Sequence, residues 1–143
     1  MAYVIGKVDV WVGSILDRPG GLAEKLAAVS AAGANLEFLI ARRAPDQPGA
    51  GVVFLAPLKG AAQQRAGKKA GLTRSESLHS LRLEGPDRPG LSATITRALE
   101  ATGINLRGLS AAAMGRRCVV YFAFDTAVDA RKAASALKKA LKN

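Results

Sequence analysis

Two short stretches of this 143-residue chain could do chemistry, and they are the same stretch twice. Asp17-Arg18-Pro19-Gly20 recurs as Asp87-Arg88-Pro89-Gly90, a shift of 70 residues, and Gly33-Ala34-Asn35-Leu36 recurs at the same shift as Gly103-Ile104-Asn105-Leu106. A carboxylate at Asp17 or Asp87 can hold an ammonium group, and Asn35 or Asn105 offers amide partners. Glycines at Gly20, Gly21 and Gly90 let a ligand come close to the backbone. The start of a helix just beyond supplies unbonded N–H groups for a carboxylate. Together these are the requirements of a free α-amino acid. Asp17 and Asp87 also suit the N-cap of the following helix, a role compatible with ligand contact. Asn35 and Asn105 equally suit a turn after a helix-ending glycine.

The elements that must position these residues repeat as well, and duplication is the economical explanation. Val8, Val10 and Val12 alternate with Lys7, Asp9 and Trp11, which predicts a strand with one covered face. Proline at Pro19 fits a first helical turn, and Leu22, Leu26 and Val29 recur at helical spacing up to Gly33, placed for a left-handed cap. Residues 35–42 read as a second strand, 44–50 as a loop, 52–56 as a third strand and 59–70 as an Ala-rich helix. The second copy gives a strand at 78–83, a helix at 91–101, strands at 105–111 and 118–124, and a helix at 128–141. In that last helix Ala130, Ala134, Leu137 and Leu141 make an apolar stripe.

A fourth strand is available at 70–75 for the first copy. After Leu141 only Lys142 and Asn143 remain for the second, so the chain's first residues, Ala2 to Gly6, are expected to fill that edge. Right-handed crossovers in the order β-α-β-β-α put both helices on one face of an antiparallel sheet. The expected fold is α+β: two ferredoxin-like βαββαβ units in tandem, 1–72 and 73–143. The open sheet faces and edges of such units predict pairing, at least as a homodimer.

The doubled Asp-x-Pro-Gly, with glycine at +16 and asparagine at +18 from the aspartate, resembles the ACT domain family of amino-acid-binding regulatory modules, over nearly the whole chain. The resemblance implies a non-catalytic, allosteric sensor whose effector lies between the bend of one module and a neighbouring module. It implies ligand contacts from Asp17, Arg18, Pro19, Gly20, Gly21, Asn35 and Leu36 in the first copy. In the second they would come from Asp87, Arg88, Pro89, Gly90, Leu91, Asn105 and Leu106. A partner enzyme would receive the signal. A second expectation comes from the glycine-cleavage type of transcriptional regulator, also built of two such units: the fold could serve as an interaction protein, binding an acidic protein or nucleic acid through its basic surface.

Composition limits the alternatives. A hydrophobic content of 49% is ample for a core, and a net charge of +10 raises the question of polyanions. The cations are spread: nine Lys and Arg against five Asp and Glu in 1–72, twelve against six in 73–143. Aromatics are 5%, too few for a base-stacking platform, so nucleic acid is disfavoured. One cysteine, Cys118, and one histidine, His79, exclude an intrachain disulfide and a Cys/His metal cluster. Cys118 reads as a buried strand thiol and His79 as an ordinary strand residue. Nucleophile elbow, phosphate loop and acid-with-histidine pair are all missing, so neither catalysis nor a cofactor is expected. The opening residues lack the marks of a signal peptide, and no apolar run reaches the roughly 20 residues of a membrane helix. The protein is expected to be soluble and cytoplasmic.

Overall fold

The structure is a computed structural model that describes residues 2–75 and 79–142. Twelve elements follow in order: β1 (Val4–Val8), β2 (Trp11–Leu16), α1 (Gly21–Ser30), β3 (Phe38–Arg43), β4 (Ala50–Ala56), α2 (Gly60–Lys69), β5 (Thr73–Arg74), β6 (His79–Pro86), α3 (Leu91–Ala101), β7 (Gly108–Met114), β8 (Arg117–Phe124) and α4 (Ala127–Ala140). They form two antiparallel four-stranded sheets, ordered β3-β4-β2-β5 and β1-β6-β8-β7. The fold is α+β and ferredoxin-like, as expected.

Contacts divide the chain into two compact units, Asp9–Ser75 and Met1–Val8 with Glu76–Asn143. The first is therefore inserted between the first and second strands of the other. The expected division at 72/73 falls close to the second junction, but the opening eight residues belong with the second copy. Their strand β1 pairs with β6, Val4 opposite Glu84 and Val8 opposite Ser80, so residues near the start of the sequence fill that edge, as expected.

The alternation of valines from Val8 to Val12 is consequently not one strand. It spans the end of β1 and the start of β2, and Trp11 is the residue of β2 that is sealed, at 1% exposure, while Val12 stays half-buried. Trp11 is opposite Leu55, and Gly13 is opposite Val53, so these four face the same way. Trp11, Val53 and Leu55 pack with Val29, Leu58 and Leu72 in one core, flanked by Leu22 and Leu26 of α1. In the other unit, alternate residues Leu81 and Leu83 of β6 and Val120, Phe122 and Phe124 of β8 meet Leu91, Ile95 and Leu99 of α3 and Ala130, Ala133 and Leu137 of α4. Each sheet thus carries its helices on one face.

Burial in α4 falls at Ala130, Ala133, Leu137 and the following Leu141, with Ala134 only half-buried. Thr126 caps this helix by accepting from the Asp129 amide at 3.0 Å. Strands β3 and β7 begin at Phe38 and Gly108, three residues later than the asparagines at which strands were expected. The expected fourth strand of the first copy contracts to Thr73–Arg74, paired with Val12 and Trp11. The expected strand at 78–83 is β6, whose expected first residue, Leu78, lies outside the described residues. Among the described residues no helix is long and apolar enough to cross a membrane, and no three His, Cys, Asp or Glu side chains are grouped to hold a metal ion.

Candidate functional site

Each Asp-Arg-Pro-Gly stretch forms the bend between the first strand and first helix of its copy. The aspartates are not N-caps. Gly20 and Gly90 hold that position with φ of 85° and 79°, and neither helix has a side-chain cap. The left-handed backbone needs glycine there, and it places each aspartate three residues upstream, out of reach of the first-turn amides. Instead the bends are fixed through the main chain. The Asp17 amide donates to the Gly49 carbonyl at 3.1 Å and the Asp87 amide donates to that of Arg116 at 2.8 Å, in each case the residue just before the third strand of the copy. The two aspartate side chains are thereby free for other partners.

In the first copy the Asp17 carboxylate forms an ion pair with Arg43, Oδ2 to Nε 2.9 Å, and the carboxylate is about one-third exposed. Arg18, on the bend, reaches Glu24 in the first turn of α1, also at 2.9 Å. A cavity of about 240 Å³ opens here, lined by Ile15, Leu16, Asp17, Arg18, Leu22, Ala41, Arg42, Arg43 and Gly51. Its floor is apolar and its wall cationic. Gly51 admits no side chain, because a β-carbon there would meet Ile15 Cγ1 and the Arg42 carbonyl oxygen, both at 2.9 Å. Gly21 is tighter still: its β-carbon would overlap the Leu16 carbonyl oxygen. On the other side of the bend, Ser14, Gly21, Glu24, Lys25, Ala28 and Ala70 border a further hollow of about 370 Å³. The Lys25 ammonium donates into it to the Ala70 carbonyl, at the end of α2.

The second bend differs. Asp87 is exposed and forms no ion pair among the described residues. The Arg88 guanidinium stands 6.0 Å from the ring centroid of Tyr3, and the Tyr3 hydroxyl donates to the Pro86 carbonyl at 2.8 Å. Cys118 is buried beside it, its thiol 3.8 Å from the same carbonyl oxygen; burial pushes the thiol above its ordinary range, which keeps it protonated. Leu91 occupies the position of Gly21 and is buried.

Of the residues expected at the sites, Asp17 and Arg18 line the first cavity. Pro19, Gly20, Pro89 and Gly90 are exposed on the bends. Asn35 and Asn105 are exposed, on the segments between helix and strand, and Leu36 and Leu106 are half-buried against the cores. None of these four lines the first-bend cavity. Sequence reasoning did not pick out Arg42, Arg43 or Tyr3. The shift of 70 that aligns the copies carried the signal for the arginines, because it sets Arg42-Arg43 against Ala112-Ala113. His79 is a half-buried residue of β6.

Away from the bends, Thr102, Arg131, Lys132, Ser135, Ala136 and Lys139 line an open groove of about 600 Å³ between the end of α3 and α4. Three cations and no carboxylate border it.

Residues 79–143 match the model of the ACT domain, so an ACT domain is present there. The backbone is similar to that of the ligand-free regulatory subunit of aspartate kinase from Thermus thermophilus, with a TM-score of 0.69 at 18% identity over 99% of this chain and 98% of that one. A protein of Bacteroides thetaiotaomicron gives a TM-score of 0.75 at 16% identity over 94% of this chain and 89% of that one. Aspartokinase III of E. coli, solved with aspartate and ADP, gives 0.61 at 14% identity, where 99% of this chain covers 33% of that chain. At such identities the likeness is one of fold. No curated protein matches the sequence.

Proposed function

We propose that this chain is an allosteric regulatory sensor: it binds an α-amino acid at its Asp-Arg-Pro-Gly bend and conveys occupancy to a partner enzyme, without catalysing a reaction itself. The observation that carries this reading is the cavity at the first bend, where Asp17 stands over an apolar floor at the start of α1. An amino acid there would place its ammonium group on Asp17. Its carboxylate would face the first-turn amides of α1, which have no carbonyl within the helix to bond. The ACT domain at 79–143 and the shape shared with regulatory subunits of aspartate kinase support it. We take Asp9–Ser75 as a second ACT module, in tandem by duplication, and the working form as a homodimer in the cytoplasm. The asparagines Asn35 and Asn105 would contact a ligand only where a neighbouring module brings it to them.

A ligand shifts such an assembly only by its differential affinity for the two states, typically about 1–3 kcal/mol of coupling. The test is calorimetric titration of the chain against the twenty amino acids. Saturable binding that Asp17→Ala weakens is expected, and silence across the panel would sink the reading.

The groove along α4 favours a second reading, in which an acidic protein or nucleic acid docks on Arg131, Lys132 and Lys139. None of the three has an ion-pair partner among the described residues. Such binding would fall steeply with salt. Reversing the charge of Lys132 and Lys139 would abolish it without touching amino-acid binding.

A further inference from the structure

The two copies fill one and the same place, beside the first strand and under the first helix, in different ways. In the second copy β1 runs along β6 as far as Glu84, and Tyr3, the residue before it, lays its ring against Gly85 with its hydroxyl on the Pro86 carbonyl. Leu91 and Ile95 of α3 are buried in the same core. In the first copy the equivalents of Gly85 and Pro86 are Ile15 and Leu16, and those of Leu91 and Ile95 are Gly21 and Lys25. The edge strand is also shorter. Strand β5 pairs only with Trp11 and Val12, so among the described residues no strand runs beside Ser14, Ile15 and Leu16 on that edge. What a ring and two aliphatic side chains occupy in the second copy is, in the first, the open hollow of about 370 Å³ bordered by Ser14, Leu16, Gly21, Lys25, Ala28 and Ala70. No side chain can close it from position 21, because a β-carbon there would overlap the Leu16 carbonyl oxygen.

We propose that this hollow is a second small-molecule site, separate from the Asp17 cavity, which takes a monocarboxylate carrying a single ring and holds the carboxylate on Lys25. The proposal does not rest on the sensor reading. Shape and charge choose the ligand. Ile15, Leu16, Ala28 and Ala70 give the hollow an apolar wall, and the second copy seats a six-membered ring, that of Tyr3, against the residue equivalent to Ile15. A dry cavity of about 150 Å³ already holds benzene, so a ring with a short acid arm has room. Lys25 is the cation on the border, half-buried, with its ammonium donating to the Ala70 carbonyl. That bond uses one of its three N–H donors and leaves two for an anion. No carboxylate pairs with Lys25 among the described residues, and Glu24, the one acid on the border, is engaged by Arg18. A carboxylate entering here gains a charge-assisted bond, whereas a ligand ammonium would find its only acid already taken.

The experiment is calorimetric titration of the full 143-residue chain with phenylacetate, its neutral amide phenylacetamide, and acetate. The expected result is saturable binding of phenylacetate, at least tenfold tighter than of either other probe. Lys25→Met keeps the stem without the charge and should lose at least tenfold. Ala28→Leu puts a larger side chain into the hollow, leaves every charge in place and should abolish binding; circular dichroism checks that both variants fold. Asp17→Ala should bind phenylacetate as the parent does, which keeps this site apart from the bend. Amide binding as tight as that of the acid overturns the pairing with Lys25, and acetate binding as tight as that of phenylacetate overturns the seat for a ring. Undiminished binding in folded Ala28→Leu, loss of binding in Asp17→Ala, or no binding of any probe overturns the site itself.

Discussion

Tyr3 lies so close to Gly85 that no side chain fits between them: a β-carbon on Gly85 would run into the Tyr3 ring and would also come within 2.9 Å of the Ala2 carbonyl oxygen. Two residues 82 positions apart thus join the chain's beginning to the strand that leads into the second bend. Tyr3 is 6% exposed and belongs to the core of its unit. Tyr3→Ala removes a buried ring and the bond to the Pro86 carbonyl, and such aromatic truncations cost about 3–5 kcal/mol. Urea unfolding should show a loss of that order. Tyr3→Phe, which deletes only the hydroxyl, should lose about 1 kcal/mol. Equal losses in the two variants would mean that the ring itself contributes little.

The adjacent glycines of the first bend should respond very differently to the same substitution. Gly20 has φ of 85° and open space around it, so Gly20→Ala meets only the strain of the left-handed backbone, about 1–2 kcal/mol. Gly21 has no positive φ, but its β-carbon would overlap the Leu16 carbonyl oxygen, which is main chain and cannot swing aside. Gly21→Ala should therefore be the more destabilising of the two, and should distort the cavity at Leu16 and Asp17. Thermal unfolding of both variants ranks them, and the reverse order would contradict the geometry.

Acid should act on the second unit through Glu84. Its carboxylate accepts from Arg82 at 2.8 Å and lies 3.5 Å from Arg117, and the hydrogen bond from Arg82 is the main cause that holds it below the ordinary carboxylate range. A carboxyl group whose pKa is lower in the folded state stabilises the fold above its unfolded pKa, about 4.3, and that stabilisation disappears as pH falls through the folded value. Glu84→Gln should lower the urea midpoint at pH 7 and flatten its decline below about pH 4. Parallel curves for variant and parent between pH 7 and pH 3 would show that the pair contributes nothing to the acid response.

Much of the architecture was legible in residue patterns, because the repeat at 70 and the apolar periodicity are one-dimensional traces of the fold. Helix α3 runs from Leu91 to Ala101, the bounds expected for the second copy. What failed to show were features set by partners distant in sequence. The N-cap role expected of Asp17 and Asp87 went to Gly20 and Gly90, because the length of the bend, fixed by the amide bonds to Gly49 and Arg116, decides which residue sits at the helix start. The run of valines around Asp9 hid a passage from one unit to the other, since alternation reports a covered face but not which sheet covers it. The strand expected at 35–42 gave no sign that Arg42 and Arg43 border the first bend, which lies more than twenty residues earlier in the chain.

Asp17 offers the means to separate structure from binding. Its pair with Arg43 is a surface one, Arg43 being 83% exposed, and such pairs contribute about 0–1 kcal/mol. The main-chain bond to Gly49 belongs to the backbone and survives any side chain at position 17. Asp17→Ala should therefore leave the unfolding midpoint within the range expected of a surface pair while reducing amino-acid affinity at least tenfold, which a ligand contact made through a charge-assisted bond predicts. Asp17→Asn keeps the shape but not the charge. If the ammonium of the ligand is what Asp17 holds, Asn should bind nearly as poorly as Ala. An unchanged affinity in both variants, measured by calorimetry on protein whose stability is intact, would exclude the carboxylate from the site and leave Asp17 as a surface partner of Arg43 alone.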